Sequence, residues 1–140
     1  MSVVIDAAVT LTWYFEDETT PETEAILDRV SEAGAVVHDL WRLEVENAFQ
    51  AAVWRQRISP ADRDKSLSEL ALLPITIDAD SAIYAWTTTL ELADRFDLTI
   101  YEATYLELAR RRSLPLATLN RTLRQAAAAL DVPVLGLADE

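Results

Sequence analysis

The 140-residue sequence has no cysteine, which excludes disulfides and thiolate metal centres. It has two glycines, Gly34 and Gly136, so there is no glycine-rich phosphate loop and no flexible low-complexity tract. Its one histidine, His38, has no serine set against it in a nucleophilic pattern, which removes the hydrolase triad. Lysine is nearly absent: Lys65 stands alone beside eleven arginines and 24 acids, for a net charge of −12. Phosphate backbones are gripped through lysine and arginine. A chain this acidic can still act on RNA if bound divalent cations neutralise part of the site and local basic patches hold the strand. No apolar run is long enough to span a bilayer, and Met1-Ser2 lead straight into a strand-like segment with no signal peptide, so the expected location is cytoplasmic, away from membranes.

What is present is an apolar interior. Hydrophobic residues make up 51% of the chain, enough for a core at this length, and one domain over 1–140 is expected. Short apolar runs alternate with helical patterns. Val3-Val4-Ile5 reads as a buried strand, followed by a helix over 7–15. A helix over 22–33 closes at Gly34, and a strand over 35–37 follows. An amphipathic helix covers 41–57. Ser59-Pro60 opens the next as N-cap and first helical residue, and it ends at Pro74. A strand over 75–77 leads to a helix capped by Asp78 or Asp80 and running to 96. Thr99 caps another helix, to 112. A strand over 116–119, a helix over 121–130 and a strand over 132–135 complete the pattern. Such alternation predicts the α/β class: a three-layer α/β/α sandwich with a short parallel central sheet. Ligands gather beyond the carboxyl ends of such strands, so the residues just after each strand are the first candidates for chemistry.

Most acids fall on polar helix faces, but three do not. Asp6 directly follows three buried apolar residues; it is either the N-cap of the next helix or a site residue. Glu44 shares a helix face with Leu40, Asn47, Ala48 and Ala51, so its carboxylate is partly buried and needs a partner. Glu102 sits on the stripe of Leu98, Tyr105, Leu106 and Ala109. Its place in a first turn suits the helix dipole, but its face does not suit solvent. Carboxylates brought together repel, and a hard divalent cation resolves that repulsion.

Four segments carry a resemblance. Val3-Val4-Ile5-Asp6-Ala7-Ala8, the run 40–48 from Leu40 to Ala48, the run 98–109 from Leu98 to Ala109, and Leu114-Pro115-Leu116-Ala117-Thr118-Leu119-Asn120-Arg121, in this order and spacing, are similar to PIN domains of the VapC kind. The resemblance implies a PIN-like fold and a metal-dependent endoribonuclease holding Mg²⁺ or Mn²⁺. It also implies a toxin that cuts RNA, is restrained by a VapB-like antitoxin and forms a homodimer. It places Asp6, Glu44 and Glu102 as catalytic metal ligands, Asn120 as a fourth ligand and Thr118 as a supporting hydroxyl. Two positions depart from the family: Glu102 and Asn120 both stand where it usually has Asp. Glu102 keeps the charge on a longer arm, while Asn120 keeps an oxygen and loses a charge. The alternative is a degenerate PIN protein that only binds an antitoxin or itself.

Arg110, Arg111, Arg112 and Arg121, with Arg124, form the densest basic region. They either contact RNA phosphates or, at a helix end, offset the dipole. Trp13 and Tyr14 are candidates for a partner surface. A receiver domain wants a late lysine, and none follows Lys65; a phosphatase wants an acid two residues after the first, and position 8 is Ala8.

Overall fold

The computed structural model describes residues 1–138. Five strands and seven α-helices follow one another as β1 (Val3–Ile5), α1 (Ala7–Thr12), α2 (Pro21–Ala33), β2 (Ala35–His38), α3 (Trp41–Trp54), α4 (Pro60–Leu70), β3 (Ile75–Asp78), α5 (Thr88–Phe96), α6 (Ile100–Arg112), β4 (Leu116–Ala117), α7 (Arg121–Ala129) and β5 (Val134–Leu135). The strands form one all-parallel sheet in the order β3-β2-β1-β4-β5. Helices flank it, giving the three-layer α/β/α sandwich that the alternation predicts.

The sheet is short because its strands are apolar over only a few residues. Val3, Val4 and Ile5 of the central strand are fully buried, and burial of each contributes about 2 kcal/mol. Helix α6 lies across β1, β2 and β4, and packs against α5 and α7. Its Ala103, Leu106, Leu108 and Ala109 are fully buried. Caps place the helix ends. Thr20, Ser59 and Thr99 each accept the N3 backbone N–H and complete a capping box with Thr23, Asp62 and Glu102. Gly34 ends α2 at a φ of +81° and turns at once into β2. A Cβ there would meet the Pro74 carbonyl oxygen at 2.9 Å, so the position requires glycine.

Several boundaries differ from expectation. Helix α1 stops at Thr12, where Thr12 and Thr10 bond back to the carbonyls of Val9 and Asp6, and a 3-10 turn over Glu16–Glu18 follows. The long helix expected after β3 is broken into a 3-10 turn, Ser81–Tyr84, and α5. Three consecutive β-branched residues, Thr87 to Thr89, open α5 and do not favour helix continuation. Strands β4 and β5 keep only two residues each, whereas β2 and β3 extend by one to include His38 and Asp78. Among the described residues no helix is long and apolar enough to cross a membrane.

The strand order matters for the site. The chain leaves β1 toward β2 on one side, and later returns to pair β4 on the other. In open parallel sheets that reversal opens a crevice at the carboxyl ends of the strands. Asp6 follows β1 and Thr118 follows β4, one on each side of it.

Candidate active site

Register sets four polar residues along the carboxyl edge: Asp78 ending β3, His38 ending β2, Asp6 after β1 and Thr118 after β4. All four are buried, and the edge is covered by side chains from α6.

Asp6 does two jobs. Its Oδ1 accepts the Val9 N–H at 2.8 Å, so it caps α1, as its position allows. It also takes a hydrogen bond from the Thr118 side chain. Thr118 in turn accepts the Asn120 N–H at 3.1 Å. Burial pushes the Asp6 carboxyl up to about 6; the negative charges of Glu44 and Glu102 push the same way, against the Thr118 and Val9 hydrogen bonds. Both other acids therefore act on Asp6 through their charge.

Glu44 has the partners its half-buried face demands. Its Oε1 accepts from His38 Nε2 at 2.6 Å and from the Tyr105 hydroxyl at 2.9 Å. Burial and the charge of Glu44, with that of Asp6 behind it, raise the Tyr105 phenol far above its ordinary range, so it stays a neutral donor. The second Glu44 oxygen, Oε2, has no hydrogen-bond partner among the described residues.

Glu102 is engaged elsewhere. One oxygen accepts the Thr99 N–H at 2.8 Å in the capping box of α6, and the other accepts from Asn120 Nδ2. The Asn120 amide oxygen caps α7 through the Leu123 N–H at 2.9 Å. The polar ends of Glu102 and Asn120 thus satisfy each other and two helix starts. Among the described residues no three His, Asp or Glu side chains are gathered as a metal-holding group. The four expected ligands therefore stand in two pairs. Asp6 and Glu44 flank the crevice, while Glu102 contributes charge and Asn120 serves as its donor.

The arginines also divide. Arg111 donates to both Glu107 oxygens, at 3.0 and 2.8 Å, and to both Asp78 oxygens, at 3.0 and 3.2 Å. Arg112 adds a 2.7 Å bond to Asp78. Both serve Asp78 as counter-ions, Arg111 mostly covered and Arg112 still 39% exposed. Arg110 shares a surface hollow with Ser113, Leu114 and Pro133, which lead into β4 and β5 at the opposite edge of the sheet. Arg121 is exposed in the first turn of α7, beside Asn120. Arg124 donates to the carbonyls of Thr118 and Leu135 and ties the ends of β4 and β5 together. Trp13 donates its indole N–H to the Thr23 carbonyl, and with Tyr14 it packs one side on the core while both remain partly exposed.

Comparison with solved structures settles the fold. The chain superposes on PAE2754 from Pyrobaculum aerophilum with a TM-score of 0.66 at 19% identity, over 90% of this chain and 79% of that one. It superposes on VapBC2 from Rickettsia felis, bound to a DNA fragment from its promoter, with a TM-score of 0.66 at 11% identity, over 96% and 97%. The chain has a PIN-like fold. A toxin–antitoxin complex from Klebsiella pneumoniae shares this PIN-like fold, with a TM-score of 0.55 at 18% identity over 85% and 87%. No protein-family model matches the sequence, and no curated protein matches it.

Does this PIN-like edge suit a divalent cation? A hard cation needs oxygen donors and is commonly held by one or two carboxylates with several waters. Asp6 and Glu44 fit that demand: burial and the charges of Glu44 and Glu102 hold the Asp6 carboxyl up, and Glu44 keeps an oxygen without a hydrogen-bond partner among the described residues. Glu102 and Asn120, bonded to each other, do not fit it as direct ligands in this arrangement.

His38, Tyr105 and Asp78 were not singled out as site residues by the sequence reading. His38 and Asp78 each end a strand, the position where chemistry is sought first. Tyr105 lies three residues after Glu102 on the same stripe. Those signals were in the sequence, but the partners that give them meaning come from other elements.

Proposed function

We propose that the chain is a VapC-type toxin: a metal-dependent endoribonuclease that hydrolyses RNA phosphodiesters and is restrained by a VapB-like antitoxin. One observation carries the reading: a buried carboxyl at the topological switch point, pushed up to about 6 with two further acids facing it. Acid and base groups with displaced pKa values in a crevice mark sites of chemistry. Asp6 and Glu44 would hold Mg²⁺ or Mn²⁺, which when bound supplies the charge that activates water and steadies a phosphodiester under attack. The protein's own groups do the rest. Thr118 orients Asp6, His38 and Tyr105 fix one oxygen of Glu44, Glu102 adds negative charge at the rim, and Arg121 is placed to meet a phosphate. The antitoxin part of the reading draws on the complexes whose fold the chain shares. A homodimer fits the exposed apolar side chains after β3, where Trp86 is 92% and Ile83 69% exposed.

The Glu102–Asn120 bond favours a second reading, a non-catalytic PIN protein that keeps only its partners. Incubating purified protein with total RNA in Mn²⁺, in Mg²⁺ and in chelator, beside Asp6→Asn, separates the two. The nuclease reading expects metal-dependent cleavage that the variant lacks. Folded protein that leaves RNA intact in both metals favours the second reading.

A further inference from the structure

His38 is 1% exposed, and an imidazole that far from water needs both ring nitrogens bonded. Both are. Nδ1 accepts the Leu40 backbone N–H at 3.0 Å, so Nδ1 carries no proton and the ring proton sits on Nε2. Nε2 therefore donates to Glu44 Oε1 at 2.6 Å. Leu40 is the N-cap of α3, the helix that carries Glu44. The edge of the imidazole meets Tyr105, with centroids 4.8 Å apart at 65°, and Tyr105 donates to the same Glu44 oxygen.

A purely architectural histidine would tie β2 to α3, and the Nδ1 bond alone does that. The Nε2 bond does something else. It places a second donor on one oxygen of a carboxylate whose charge acts on Asp6, and it leaves the other oxygen without a partner. We propose that His38, assisted by Tyr105, is a positioning residue: it locks Glu44 Oε1 so that Oε2 is presented to the cation beside Asp6. This rests on the reading of the edge as a divalent-cation site. Groups that orient a ligating carboxylate in this way typically change metal affinity by about 10- to 100-fold when removed.

Two substitutions split the two bonds of the ring. His38→Asn keeps an acceptor near the Nδ1 position for Leu40 but stops short of Glu44. His38→Gln reaches Glu44 with a donor but gives up the Leu40 acceptor. Calorimetric titration with Mn²⁺ is expected to show His38→Asn binding about 10-fold or more weakly and His38→Gln within about 3-fold of the parent, whichever melts lower. Equal affinity in His38→Asn and the parent overturns the proposal, as does an equal loss in both variants. Should either variant fail to fold, the parent itself gives the answer. His38 is the only histidine, so its ring ¹⁵N resonances are unambiguous. They are expected to report the Nε2–H form, with Nε2 shifting more than Nδ1 on saturation with Mg²⁺; a ring indifferent to bound Mg²⁺ overturns the proposal. A parent that takes up neither cation is a separate result and removes the metal-site reading itself.

Discussion

Asp78 and Asp6 end strands of the same sheet at the same edge, and both are almost out of water, at 1% and 6% exposed. Their carboxyls nonetheless move in opposite directions. Burial alone would raise Asp78, but Arg111, Arg112 and the Asp80 N–H outweigh it and hold the group at about 2. Burial raises Asp6 too; with Glu44 and Glu102 nearby, it stands at about 6. Both carboxyls lie at one edge and are raised by burial, and the counter-charge beside them has opposite sign. At β3 the protein supplies its own cations from α6. At β1 it supplies further anions. The first arrangement is complete as it stands, and the second is the one that the proposed function completes with a cation from outside.

The largest effect should follow from breaking the complete end. Asp78→Ala leaves Arg111 and Arg112 without their shared partner, and should cost about 3–5 kcal/mol in denaturant unfolding. Because the folded pKa of Asp78 is depressed, its contribution is present above about pH 4 and is lost as pH falls toward 2. The variant's stability should therefore lack that acid limb.

The incomplete end should respond with the opposite sign. The folded pKa of Asp6 is raised, so its contribution is full below about pH 4 and is lost as pH rises through 6. Without divalent cations, Asp6→Asn should stabilise the protein at neutral pH by up to about 3 kcal/mol, and the gain should vanish near pH 4. Chemical denaturation at the two pH values checks both sign and window.

Asn120→Asp sharpens the contrast further. It keeps the α7 cap but removes the donor to Glu102 and sets two carboxylates face to face. A loss of about 2 kcal/mol is expected in chelator, with a larger recovery on adding Mn²⁺ than in the parent. The smallest change is Tyr105→Phe, which leaves Glu44 its His38 bond. It should cost about 1 kcal/mol and weaken Mn²⁺ binding less than His38→Asn.

How much of this was legible beforehand depends on the range of the interaction. The sheet was readable because Val3-Val4-Ile5 and its counterparts are local apolar runs, each followed by a capped helix. Asp6 and Glu44 were readable because each sits on a face where an unpaired acid is costly. The pairing of Glu102 with Asn120 was not readable, since it joins residues 18 apart through a contact that only the packing of α6 on α7 creates. Arg111 and Arg112 look like an open basic patch in the sequence. Their partner is Asp78, more than thirty residues earlier, brought to them by the folding of β3 beneath the end of α6. His38 carries no site signal in the sequence beyond its place at a strand end, because its meaning lies in which carboxylate it faces.

The most direct test of the central claim is thermal unfolding of the parent and of Asp6→Asn near neutral pH, in chelator and across a Mn²⁺ series. A cation that binds only the folded state raises the melting temperature with its concentration. The account predicts that rise in the parent and none in Asp6→Asn, which starts from a higher melting temperature. A parent whose melting temperature ignores Mn²⁺, or a variant that rises with it equally, would contradict it.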